Sequence, residues 1–280
     1  MNINAIPVDL SNPGQVLACM GILEVIDVLC GGVEGRFNWI GRPNFEIKSN
    51  SINPLKEVVD FVLDSTINAI SPSHILKDKY GIVTVFEAYC SPSIELKPSV
   101  LPISLEDVND KKILITHWAE SGDTGLDNLK FWGGAGGYSA AARMKDLQNS
   151  LALVKENERS IFYTDPFGVS ARLSNGFRLE MRRDYTAIDL GFSPNDHKDI
   201  EVIGYPLVEL LAVIGLESAR PLRINRFQYQ YGVWKDFLPP ILARAILGGE
   251  DLGFTTRNFT MKLATVNKGG DRAVLFSCEG

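Results

Sequence analysis

The spacing of hydrophobic positions changes along this chain, and each change predicts an element. From Val16 to Leu29 almost every position is small or apolar. Val16, Leu17, Met20, Leu23, Ile26 and Leu29 fall on one broad helical face, with Glu24 and Asp27 opposite. Asp9, Ser11 and Asn12 are competent N-caps, and Pro13 suits a first helical position. Gly31-Gly32 ends the helix. Gly21 lowers helix propensity by about 1 kcal/mol relative to Ala, so close packing is expected there. Arg36 to Lys48 reads as a hairpin around Gly41-Arg42-Pro43-Asn44. Leu55 to Asn68 keeps helical spacing after Asn53-Pro54. Gly81 to Tyr89 and Ile113 to Trp118 are β-rich, and residues 91–112 are punctuated by Pro and Ser. Ser139 to Val154 reads as a helix, Ile161 to Thr164 and Phe177 to Leu179 as short strands. Tyr205 to Leu216 is a second strongly buried helix. Arg223 to Val233 alternates charged and aromatic residues, as one strand with two distinct faces does. Pro239-Pro240 opens a helix to Leu247. Phe254 to Ala264 and Arg272 to Cys278 close the chain as β-runs around Asn267-Lys268-Gly269-Gly270.

Strands and helices alternate too irregularly for a doubly wound sheet. The expected class is α+β, with mixed or antiparallel sheets packed on a few buried helices. Pro13 followed by Gly21 and Glu24 is echoed by Pro206 followed by Gly215 and Glu217. The echo predicts two pseudo-equivalent lobes, residues 1–150 and 151–280, whose central helices meet where both glycines permit close approach.

Composition adds bounds. The chain of 280 residues is 45% hydrophobic and 22% charged, ordinary for a globular protein. No run has 18 apolar residues without a charge, and no basic segment precedes an apolar core, so neither a membrane span nor a secretory signal is expected. Cys19, Cys30, Cys90 and Cys278 are scattered, as reduced thiols in a cytoplasmic protein are. The net charge is −6. That argues against a free-standing nucleic-acid binder, but the charge is uneven. Residues 1–150 hold 12 basic and 18 acidic side chains, whereas Arg220 to Arg272 holds nine basic and four acidic. The last quarter therefore suits phosphate, and the acidic first half suits protein partners or solvent.

Two stretches carry candidate chemistry. Lys130 to Gly137 (KFWGGAGG) is a glycine loop before a helix bearing Arg143 and Lys145. Consecutive glycines let backbone amides face an anion, and a helix N-terminus adds positive potential. No Gly-Lys-Ser/Thr follows, so this is not a nucleotide-hydrolysing P-loop. A phosphate-binding loop and a tight packing turn both fit. The candidate contacts here are Lys130, Trp132, Gly133, Gly134 and Arg143. The second stretch interleaves Arg220, Arg223 and Arg226 with Phe227, Tyr229, Tyr231, Trp234 and Lys235. Rings stack on bases and arginines bind phosphates. A core strand with inward rings and outward arginines fits equally, and Arg223 and Arg226 are its functional candidates. With Lys262 they are expected to share an exposed face. Arg182, Arg183, Arg257 and Lys268 complete the set of expected nucleic-acid contacts.

Catalytic constellations are sparse. His74, His117 and His197 are far apart, and no HExxH, GxSxG or metal-ligand spacing occurs. No enzyme activity, cofactor or metal is expected. Two alternatives stay open: a nucleotide- or phosphate-ligand-binding enzyme using residues 133–137, and a purely structural scaffold.

Several segments resemble a CRISPR-associated family of type I-G (formerly I-U) effector complexes. Asn12-Pro13-Gly14-Gln15, Gly21-Ile22-Leu23-Glu24 and Glu34-Gly35-Arg36-Phe37 are similar to that family's opening. Leu129 to Gly134 (LKFWGG), Ala187 to Asp196 (AIDLGFSPND) and Tyr205 to Pro221 (YPLVELLAVIGLESARP) resemble further family segments in the same order. The resemblance implies a large-subunit-like, non-catalytic component of an RNA-guided DNA-surveillance complex. Its implied partners are other effector subunits, guide RNA, target DNA and a recruited helicase–nuclease. It also implies that the motif beside the target is read in such a complex.

Overall fold

Two helices with backbone against backbone form the centre of the fold. The computed structural model describes residues 2–71, 83–85, 101–119, 131, 139–152, 154, 159–173, 176–182, 202–265 and 272–280. Helix α1 spans Pro13–Leu29, and α5 spans Pro206–Ser218. Residues Pro13 to Ile26 and Pro206 to Leu216 are buried on every side, which is the mark of core helices. Asn12 caps α1: its Oδ1 accepts from the amides of Gly14 at 3.0 Å and Gln15 at 3.4 Å. The helix ends as expected, with Gly31 and Gly32 in the left-handed region at φ 67° and 64°. A Cβ on Gly21 would lie 2.0 Å from the Leu211 carbonyl oxygen, and one on Gly215 would lie 2.1 Å from that of Leu17. The expected glycine contact between the echoed helices is thus observed.

Among the described residues, four small sheets stand around this pair. Strands β1 (Asn2–Pro7), β2 (Glu34–Asn38) and β3 (Asn44–Ser49) form the antiparallel order β1-β3-β2. Helix α2 (Pro54–Asp64) leads to β4 (Thr66–Ser71), β5 (Val83–Val85), β6 (Ile103–Glu106) and β7 (Lys112–Ile115). Their order is β5-β4-β6-β7, with only β4 and β5 parallel. Then come α3 (Ala140–Ala152), the short α4 (Arg159–Phe162), and a two-stranded sheet of β8 (Ala171–Arg172) and β9 (Ile203–Gly204). After α5, β10 (Leu222–Asn225), β11 (Gln228–Trp234), β12 (Thr256–Thr265) and β13 (Arg272–Glu279) form an antiparallel meander. Helix α6 (Pro240–Leu247) sits between β11 and β12 in sequence. It packs on β11 at Gly232, where a Cβ would lie 2.4 Å from the Ile246 carbonyl oxygen. The class is α+β. One continuous apolar core takes residues from α1, α5 and all three larger sheets.

Four sequence expectations are corrected. Helix α2 stops at Asp64 rather than Asn68, because Thr66 to Ala69 pair with β6. Strand β6 lies inside the Pro- and Ser-punctuated stretch. Ile161 and Phe162 belong to α4, and Phe177 to Leu179 form an irregular segment. Arg223 to Val233 is a hairpin rather than one strand. Its turn is Arg226-Phe227, and Asn225 Oδ1 accepts from the Phe227 amide at 2.9 Å.

Candidate nucleic-acid interface

The acidic side chains of the two central helices do structural work. Glu24 does not face solvent as its helical position predicts. It is buried and receives Arg244 Nε at 2.6 Å and Nη2 at 2.5 Å, which ties α6 to α1. Glu209 is 1% exposed. Its Oε2 accepts from the Phe177 amide at 2.8 Å and its Oε1 from the Glu180 amide at 3.1 Å. Glu180 in turn accepts from Asn12 Nδ2 at 2.5 Å. A Cβ on Gly14 would lie 2.7 Å from the Glu180 Cα. The Asn-Pro-Gly-Gln turn therefore seats residues 176–182 against the start of α1.

That seating removes two of the expected contacts from the surface. Arg143 is buried on α3, and its Nη1 donates to the Gly176 carbonyl at 3.1 Å. Arg182 is half-buried: its guanidinium donates to Glu180 and to the Phe167 carbonyl and lies 3.6 Å from the Tyr205 ring centroid. It borders a cleft of about 400 Å³ with Asp9, Gln15, Arg42 and Asp165, where acids and bases balance. Arg257 forms a bidentate pair with Glu279, whose carboxyl is held below its usual range first by that hydrogen bond. Lys130, Trp132, Gly133, Gly134, Arg183 and Lys268 lie outside the described residues, as does the resemblance segment Ala187 to Asp196.

Arg223, Arg226, Lys235 and Lys262 remain, all on the meander. Lys235 and Arg257 belong to one end of it. Gln228 marks the other end, roughly 20 Å away at about 3.3 Å per residue. At that second end Arg223, the turn residue Arg226 and Lys262 converge. Arg272, which sequence reasoning missed, joins them. Arg272 Nη1 donates to the Arg226 carbonyl at 3.1 Å. Its amide donates to the Phe131 carbonyl at 2.8 Å, and its guanidinium lies 5.2 Å from the Phe131 ring centroid. Phe131 packs on Tyr229 with ring centroids 6.2 Å apart. Phe131, the second residue of the glycine stretch, thus meets the basic hairpin. Only tertiary pairing creates this meeting, since Phe131 and Arg272 are far apart in sequence.

Register decides which way these side chains point. Arg223 pairs with Tyr229, and Tyr229 with Met261, so Arg223 shares the row of two buried side chains, although on the edge strand it is itself exposed. Tyr229, Tyr231 and Val233 are buried, so both rings and the valine point inward. The next row is Gln228, Lys262 and Phe276, and it points outward. Arg223 and Lys262 therefore share an end of the sheet but not a face, contrary to expectation. The outward face also carries Gln230, Thr260 and Cys278 in one register row. Arg226 lies 5.2 Å from the Phe227 ring centroid, and Lys262 Nζ 5.2 Å from that of Phe276. Neither cation makes an ion pair among the described residues.

The other titratable groups bind structure together. Glu217 accepts from the Thr116 and His117 amides at 2.8 and 2.9 Å, and lies 3.1 Å from His117 Nδ1. Desolvation alone raises its pKa, but the His117 and Thr116 hydrogen bonds hold it low. Burial raises the Cys19 thiol, and burial together with Glu57 moves Cys30 to about 11, so both stay protonated at neutral pH. Among the described residues no group of His, Cys, Asp and Glu is arranged to hold a metal, and no helix is long and apolar enough to cross a membrane. No protein-family model, curated protein or solved structure matches the chain.

Proposed function

We propose that this chain is a non-enzymatic subunit of a type I-G CRISPR effector ribonucleoprotein, touching guide RNA or target DNA through the hairpin end of its C-terminal sheet. The observation that supports this best is the charge of that sheet. In a chain with six more acids than bases, residues 218–235 carry four basic and no acidic side chains. Residues 252–265 carry Arg257 and Lys262 and again no acid. The fold brings Arg223, Arg226, Lys262 and Arg272 from these segments and β13 to one end of one sheet. Concentrated cations on an acidic protein orient it toward phosphate, while its acidic remainder limits non-specific binding. In such a complex base pairing reads the sequence, and the protein contributes backbone contacts and shape. Other effector subunits and a recruited helicase–nuclease are its partners in this reading.

The test is salt dependence in the assembled complex. Substituting Arg226 and Lys262 together with Ala is expected to weaken nucleic-acid binding. It should also flatten the log–log salt slope by about 1.4 to 1.8, the loss of two phosphate contacts. Lys235→Ala, at the far end, serves as the comparison and should leave both unchanged. An unaltered affinity and slope in the double variant would remove the basis for this reading.

A further inference from the structure

Resting on the nucleic-acid reading above, we infer that the outward face of the C-terminal sheet binds single-stranded RNA, with a base stacked on Phe276. Phe276 is 45% exposed on the outward face of its strand, where Lys262 Nζ lies 5.2 Å from the ring centroid and much of the ring remains open to solvent. Its register neighbours are Lys262 and then Gln228. The adjacent row is Leu222, Gln230, Thr260 and Cys278. These two rows therefore offer one exposed ring, the exposed Leu222, one cation and three uncharged hydrogen-bonding side chains, two amides and a hydroxyl. Strands β10, β11 and β12 contain no acidic residue, and the only one in β13, Glu279, is tied to Arg257. The occupant must therefore tolerate positive and neutral polar groups and supply flat apolar faces.

Leu222, Ile224 and Leu275, exposed on the edge strands β10 and β13, also suit a protein partner, and protection of Phe276 by a neighbouring subunit is the outcome that would favour one. A duplex keeps its bases stacked on one another, so Phe276 has no base to receive. It also needs more phosphate contacts than one outward lysine and the turn arginine supply. A single strand presents unstacked bases to an aromatic ring on a sheet. The Gln230 amide and the Thr260 hydroxyl both donate and accept, as a ribose 2′-hydroxyl requires, and Gln228, whose Oε1 accepts from Asn225 Nδ2 at 2.6 Å, adds its NH2 donor; this favours RNA over DNA. Phe227, in the turn and 36% exposed beneath Arg226, extends the surface at the hairpin end.

Fluorescence anisotropy with the purified full chain tests this against three labelled probes of one mixed sequence: single-stranded RNA, single-stranded DNA and duplex RNA. Single-stranded RNA should bind most tightly, by about tenfold over the duplex. Phe276→Ala should weaken RNA binding about tenfold, and Phe276→Tyr, which keeps the ring, should restore it. Gln228→Ala with Gln230→Ala should narrow the gap between RNA and DNA. Equal or tighter binding of DNA or duplex overturns the inference. So does an unchanged affinity in Phe276→Ala, or protection of Phe276 by a neighbouring subunit in a complex stripped of RNA. If the chain ignores every probe while Arg226 and Lys262 still govern affinity in the complex, this inference falls and the proposed function stands.

Discussion

Replacing Gly21 with alanine is expected to destabilise the protein by about 3 kcal/mol or more, although alanine is the better helix former by about 1 kcal/mol. The added methyl would sit 2.0 Å from the Leu211 carbonyl oxygen and 3.2 Å from the Gly215 amide nitrogen. Both are backbone atoms of a rigid helix, so no side-chain rotation relieves the clash. The helices must separate, and the loss spreads through the core shared by α1 and α5. Gly215→Ala should behave alike, since its methyl would meet Leu17 O at 2.1 Å and Gly21 N at 2.7 Å. The two substitutions relieve the same contact, so the double variant should lose less than the sum. Urea denaturation of the three variants measures this. A stabilised or neutral Gly21→Ala would mean that the helices are not in backbone contact.

The second large effect concerns Glu209. Glu209→Ala leaves the buried amides of Phe177 and Glu180 without their acceptor. Each unmet amide costs about 1–3 kcal/mol, so a loss of about 3 kcal/mol is expected. Residues 176–182 should loosen first, because what then holds them is the Glu180 carboxylate, bound by Asn12 and Arg182, and single carbonyl contacts such as Gly176 with Arg143. Glu209→Gln keeps an acceptor and should lose less. Hydrogen exchange at the Phe177 and Glu180 amides, read beside the global stability, separates local from general loosening. Unchanged protection at both amides in Glu209→Ala would show that α5 does not hold this segment.

The sequence made the central scaffold legible and left most of the charged side chains unassigned. Proline, then glycine, then glutamate at similar spacing announced α1 and α5, and the crowding at Gly21 and Gly215 is the physical reason for the two glycines. The alternation of Tyr229, Tyr231 and Val233 fitted both stacking rings and core rings, and their burial selects the second. Charge type, by contrast, says nothing about depth. Glu24 and Arg143 read as surface residues because their partners, Arg244 and Gly176, are distant in the chain, and Glu209 drew no assignment because Phe177 and Glu180 are distant too. The hairpin at Arg226-Phe227 was hidden because its turn lacks glycine. The side chain of Asn225 does the turning, and that asparagine was the available signal. Arg272 was missed because only the pairing of β12 with β13 brings it to the hairpin end.

The echo therefore marks packing, while the candidate interface arises where strands distant in sequence become neighbours. Photocrosslinking of the assembled complex to its own nucleic acid, followed by mapping of the crosslinked peptides, tests the central claim most directly. The account predicts crosslinks concentrated in residues 222–230 and 260–276, with Phe276 among them. Crosslinks confined to the acidic first half of the chain, or none in the C-terminal sheet, would contradict it.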